Sequence, residues 1–122
     1  MKREPLLPTE TVDIYYIDTY LINDDAVPIS ILNNDEYKRY NSYLMDRSRK
    51  EFLIGRYLLK TVLGNYLNTG TYKINFRENK FGKLFLKDSV RHNKISFNLS
   101  HSYGMVVAAF VSDTDIGVDV EK

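Results

Sequence analysis

The stretch DRSRKEFLIGRYLLKTVLGNYL, Asp46 to Leu67, constrains the fold more than any other segment of this chain. Phe52, Leu53, Leu59, Val62, Leu63 and Tyr66 recur at three- and four-residue spacing, which places them mostly on one face of a helix. Arg47, Arg49, Lys50, Arg56 and Lys60 occupy much of the remaining circumference, and Asp46 is a suitable cap. A helix with one apolar stripe needs a second layer to cover it. The rest of the chain offers strands for that layer. Val12 to Asp18 (VDIYYID) alternates, Pro28 breaks the chain, and Asn33-Asn34-Asp35 can cap a helix running through Tyr43. Tyr72 to Phe76 alternates again, Phe81-Gly82-Lys83 reads as a turn, and Leu84 to Leu86 is short and extended. ISFNLS (Ile95–Ser100), Met105 to Val111 and Ile116 to Val120 complete the strands. Gly104 and the cluster Ser112-Asp113-Thr114-Asp115 supply turns between them. One strand, two helices and then several strands predict an α+β fold with an antiparallel sheet.

Several classes are excluded by what the chain lacks. Its 122 residues suffice for one core, so 1–122 is expected to be a single domain. Without cysteine it can form neither a disulfide nor a thiolate metal site. Met1-Lys2-Arg3-Glu4 runs into Pro-Leu-Leu-Pro with no signal-peptide core, and the longest apolar run, Met105 to Val111, is too short to span a membrane. A cytoplasmic protein with no membrane partner is expected. The aromatic residues are dispersed rather than grouped with cations, which argues against a nucleic-acid platform.

Net charge is only +1, but its sign is segregated. Residues 1–36 carry eight acids against two bases, residues 37–70 and 71–101 each carry seven bases against two acids, and the last 21 carry four acids and one Lys. A basic middle beside an acidic end suits a polyanion held next to a metal cation, though solvated helix and loop faces give the same pattern.

Three groups of residues could do chemistry. Asp119 and Glu121, in Ile-Gly-Val-Asp-Val-Glu, would project from one side of a strand while Val118 and Val120 face the core. Two convergent carboxylates are hard oxygen ligands suited to Mg²⁺, which completes its octahedron with phosphate and water. Any half-exposed strand with acids on its wet side shows the same alternation. Asn98-Leu99-Ser100-His101-Ser102 places hydroxyl and imidazole donors at a strand end, a reasonable phosphate-binding edge. No G-x-S-x-G surrounds that Ser-His pair, so a hydrolase reading is poor. Lys83 follows a glycine turn that could present its ammonium to a ligand. Arg39, Arg47, Arg49, Lys50 and Arg56 are further cations on the helices.

Taken together, FNLSHSYGMVVAAFVSDTDIGVDVEK resembles the most characteristic stretch of the Sfp-type 4′-phosphopantetheinyl transferases, an F-N-x-S-H-S strand, an apolar strand and then I-G-I/V-D-I/V-E. Upstream, DRSRKEFLIGRYLLKTVLG resembles the family's basic helix and ENKFGKLFL its x-x-x-G-K-P-x-L turn, so order and spacing match over residues 35–122. The resemblance implies transfer of the 4′-phosphopantetheine arm of coenzyme A to a serine of an acyl or peptidyl carrier protein, leaving 3′,5′-adenosine bisphosphate. It implies that Asp119 and Glu121 hold Mg²⁺ against the CoA pyrophosphate, and that Lys83, Ser100 and His101 bind CoA phosphates, with Arg39 at another basic contact position.

The sequence departs from the pattern in three ways. Glu51 stands where some relatives carry a base, Leu84 replaces the proline after Gly-Lys, and the 122 residues correspond to the N-terminal half of a pseudodimer. The second half of such enzymes carries a W-x-x-K-E-A/S helix with a third metal-binding Glu and a Lys. The expectation is a transferase half completed by a C-terminal half or by a homodimer partner. The alternative is a truncated, non-catalytic module that binds CoA or the carrier protein.

Overall fold

The computed structural model describes residues 12–87 and 95–112. The expected strand Ile116–Val120, with Asp119 and Glu121, lies outside them. Strand β1 (Val12–Asp18) is followed by 3-10 turns at Thr19–Leu21 and Ile29–Ile31, then by helices α1 (Asn34–Ser42) and α2 (Asp46–Leu67). A third 3-10 turn, Thr71–Lys73, leads to β2 (Phe76–Glu78), β3 (Leu84–Leu86), β4 (Ile95–Ser102) and β5 (Met105–Ser112). Two helices with antiparallel strands make the fold α+β, as the element order predicts.

The sheet order is β1-β5-β4, so the first described strand lies beside the last, while β2 and β3 form a separate hairpin. Pairing is antiparallel throughout, with Phe97 opposite Phe110 and Ile17 opposite Val106. Because side chains alternate, Val106, Ala108, Phe110 and Phe97 share one face, and α2 lies on it. Leu59 and Leu63 of α2 are fully buried there, each burial contributing roughly 1.5–3 kcal/mol. Gly55 permits the close approach of α2 to β4, since a Cβ there would lie 3.0 Å from Leu99. The other face of β1 presents Val12, Ile14 and Tyr16, all exposed. Among the described residues no helix is long and apolar enough to cross a membrane.

Local chemistry sets the boundaries. Asn33 and Glu36 form a capping box: the Glu36 N–H donates to Asn33 Oδ1 at 2.8 Å, and the Asn33 N–H donates to Glu36 Oε1 at 2.9 Å. The α2 cap differs from the expectation. Met45 occupies the capping position without a side-chain bond, and Asp46 is the first helical residue, paired with Arg49. Asn68, left-handed at φ 56°, closes α2, with Thr69 N–H donating to Gly64 C=O at 2.9 Å. The alternation at Tyr72 to Phe76 does not make a strand. Thr71–Lys73 is a 3-10 turn with its own hydrogen bonds, and pairing starts only at Phe76, where β3 runs alongside. A two-residue loop joins β4 to β5, with Tyr103 at φ 51° and Gly104 at φ 86°, as the twist of a tight hairpin requires.

Candidate functional site

A cavity of about 330 Å³ opens between α1, the N-terminal half of α2, the β2–β3 hairpin and β4, the outer strand of the sheet among the described residues. Each element delivers polar groups to it: Arg39 from α1, Glu51 and Arg56 from α2, Glu78 and Lys83 from the hairpin, His101 from β4. The Asn79 side chain shapes the hairpin loop by accepting from the N–H groups of Phe81 and Lys83, at 2.8 and 3.0 Å. Gly82, at φ 86°, completes the turn and aims Lys83 inward. Lys83 Nζ then donates to Asn98 Oδ1 at 3.2 Å. The exposed ring of Phe81 stands at the rim.

Of the residues expected to bind phosphate, Lys83, His101 and Arg39 line this one cavity. Ser100 does not. It precedes His101 on β4, and adjacent strand residues face opposite sides, so Ser100 is exposed on the face away from α2. Asp119 and Glu121 lie outside the described residues. Among the described residues no cluster of three or more His, Asp or Glu could hold a metal.

Arg39 is partly committed. Its Nη1 donates to Glu78 at 2.7 Å and its Nε to the Tyr43 hydroxyl at 3.1 Å. The bond to Glu78 pushes the guanidinium pKa up, while burial opposes it. Arg56 lies under the cavity floor, 4.6 Å from the Phe52 ring centroid, with Nε donating to Glu36 at 3.0 Å. Burial pushes its pKa down, and the charge of Glu36 opposes that. The cavity thus faces three cations against two carboxylates, plus one imidazole, which favours an anionic occupant.

Sequence reasoning placed Glu51 only as a departure from a pattern. Its side chain is 7% exposed, with Oε1 3.0 Å from His101 Nδ1 and Oε2 accepting the Gly104 N–H at 2.7 Å. The available signal was its place on the α2 stripe, next to Phe52, where an acid has to find buried partners. Nothing in the local sequence points to Glu78 as the partner of Arg39.

The family pattern described as 4′-phosphopantetheinyl transferase, N-terminal, matches residues 23–113. The 4′-phosphopantetheinyl transferase HetI of Nostoc sp. is 33% identical over 90 residues, covering 74% of this chain and 38% of that protein. The 4′-phosphopantetheinyl transferase gsp of Aneurinibacillus migulanus is 29% identical, covering 76% and 37%. The chain therefore spans less than two-fifths of the length of either relative. A holo-(acyl-carrier-protein) synthase of Streptococcus suis is 31% identical over 100 residues, covering 78% of this chain and 83% of that one. Among solved structures, the holo-(acyl-carrier-protein) synthase of Bacillus anthracis in complex with CoA (3′,5′-ADP) superposes with TM-score 0.65 at 25% identity, over 83% of this chain and 93% of that one. The Helicobacter pylori synthase, at TM-score 0.61 and 14% identity, shares the fold.

Proposed function

The chain belongs to the 4′-phosphopantetheinyl transferase family, and from that premise we propose that it supplies the CoA-binding part of a cytoplasmic, Mg²⁺-dependent transfer site. The substrate pair is CoA and the serine of an acyl or peptidyl carrier protein. One observation carries this reading: Lys83, His101 and Arg39, distant in sequence, converge on one cavity of about 330 Å³.

Transfer joins the serine oxygen to the β-phosphorus of CoA with loss of the hydroxyl proton to water, breaks the bond from that phosphorus to the bridging oxygen on the adenosine side, and releases 3′,5′-adenosine bisphosphate. Charge builds on the phosphoryl oxygens and the leaving group, so fixed cations beside them lower the barrier. Lys83 provides a compact ammonium held by Asn98, and His101 an imidazole fixed by Glu51, while Arg39 adds a partly neutralised guanidinium at the rim. Mg²⁺ held by Asp119 and Glu121 would supply further charge neutralisation at the pyrophosphate. Ser100 would reach the ligand from the opposite side of β4. The exposed Val12, Ile14 and Tyr16 suit cover by a second protein surface, either a C-terminal half or a second copy in a homodimer.

Titration calorimetry tests the site. CoA should bind more tightly with Mg²⁺ present, and Asp119→Ala should remove that difference. Lys83→Ala should weaken CoA binding roughly tenfold to a hundredfold, the usual loss of one charge-assisted contact of about 1.5–3 kcal/mol. Full affinity in Lys83→Ala would refute the placement of CoA in this cavity. A transfer assay on an apo carrier protein, with light scattering for the oligomeric state, separates the transferase from a non-catalytic CoA- or carrier-binding module. Binding without transfer, even after a C-terminal half is added, would favour the module.

A further inference from the structure

Glu51 is an acid buried on the packed side of α2, yet among the described residues no lysine or arginine is paired with it. Its two oxygens are instead spent on one imidazole and one backbone amide. Oε2 takes the Gly104 N–H, and Gly104 C=O in turn accepts from Thr19 N–H at 2.7 Å. One carboxylate therefore seats the β4–β5 hairpin and the His101 ring together. The ring is half exposed and lines the cavity, so the edge not bound to Glu51 is the edge available to a ligand.

The protonation chemistry follows. A carboxylate offers only lone pairs, so its contact with Nδ1 needs a proton on Nδ1. Neutral His101 then has a bare lone pair at Nε2, which repels a phosphate oxygen. Only the imidazolium offers an Nε2–H to an anion, and Glu51 is its counter-charge. We propose that Glu51 is a positioning residue, holding His101 in the Nδ1–H form so that the imidazole grips an anionic ligand only after taking up a second proton. Ligand binding at this cavity is then coupled to protonation. The other charged and titratable groups lining the cavity with His101 are Arg56 of α2, Arg39 of α1, Tyr43 just after it, and Glu78 and Lys83 of the hairpin. Arg39 pairs with Glu78, Arg56 with Glu36 and Lys83 with Asn98, while Glu51 is in contact with the ring. This inference rests on the CoA reading only for the identity of the anion.

Glu51→Gln is the discriminating variant. Its amide oxygen can still accept the Gly104 N–H, while its amide N–H faces Nδ1 and drives the ring to the Nε2–H tautomer. That tautomer donates to phosphate without charge and without proton uptake. Nitrogen NMR on the full chain labelled at histidine reads the tautomer directly, and His101→Ala assigns the signal, since the chain has two histidines. The wild type should show Nδ1–H at alkaline pH and the variant Nε2–H. Calorimetry with 3′,5′-ADP in buffers of different ionisation enthalpy should show wild-type binding taking up a proton, with affinity about tenfold lower at high pH than at low. The variant should take up no proton at this ring and bind about fivefold more weakly than wild type at low pH, where the charge assistance is lost. A wild-type Nε2–H tautomer, or a variant with unchanged tautomer and pH profile, would overturn the proposal. If the variant fails to fold, the wild-type tautomer and pH profile decide it alone. If wild type binds no 3′,5′-ADP, the CoA reading fails, and the wild-type tautomer still upholds or overturns the role of Glu51.

Discussion

Replacing Glu36 with Gln removes one charge from a site where one carboxylate balances two cations. The Glu36, Arg56 and Lys60 side chains are 8%, 8% and 2% exposed. Glu36 accepts from Arg56 Nε at 3.0 Å, from Lys60 Nζ at 2.6 Å and from the Asn33 N–H at 2.9 Å, and Lys60 also donates to Ile31 C=O at 2.8 Å. Gln keeps the volume and can still accept from Lys60 and Asn33. It turns an N–H donor toward Arg56, however, and leaves two buried cations without a counter-charge. Breaking a buried pair on one side typically costs about 3–5 kcal/mol. The bonds that survive put this variant near the lower end, about 3 kcal/mol. For a chain of this size that corresponds to a melting-point drop of roughly 10 °C. Urea and thermal unfolding followed by circular dichroism measure it, with Asp24→Asn as the control. Asp24, 88% exposed, pairs with Lys50 at 3.0 Å, and losing such a pair costs at most about 1 kcal/mol, while Lys50 keeps its bond to Ile22 C=O at 2.6 Å. If Glu36→Gln loses no more than Asp24→Asn, the desolvation argument is refuted.

The hydroxyl of Tyr66 is hydrogen-bonded to Asp13, and burial first, then that bond, push its pKa above the ordinary tyrosine value. A pKa raised by folding contributes stability that is complete below the unfolded value of about 10 and is lost as pH climbs above it. Urea midpoints should therefore fall above about pH 10, less steeply in Tyr66→Phe, and parallel curves would contradict this. Gly104→Ala should cost about 1–2 kcal/mol of unfolding free energy, because φ 86° is strained for a residue with Cβ and the exposed Tyr20 ring must also swing aside. An unchanged midpoint would show that the hairpin relaxes freely.

The local pattern determined much of this protein. Three- and four-residue spacing specified α2, the capping residues Asn33-Asn34-Asp35 specified the start of α1, alternation specified β1, and the extended runs ISFNLS and Met105–Val111 specified β4 and β5, because each rests on chemistry between near neighbours. The ordered set Gly82-Lys83, Ser100-His101 and Asp119-x-Glu121 was likewise enough to bring out the family resemblance. Contacts between distant residues decided the rest. Arg56 and Lys60 read as the polar side of α2, yet they are buried because Glu36, on another helix, reaches them. Alternation at Tyr72 to Phe76 described a strand for which no partner runs alongside until Phe76. Adjacent in sequence, Ser100 and His101 were separated by the pleat, and only the sheet's packing on α2 put His101 on the side of Glu51 while Ser100 stays outside the cavity. Glu51 gained its meaning the same way. A single acid on a helix stripe is uninformative until the fold sets an imidazole and a hairpin amide against it, since a buried charge is defined by its partners, and those lie about fifty residues away.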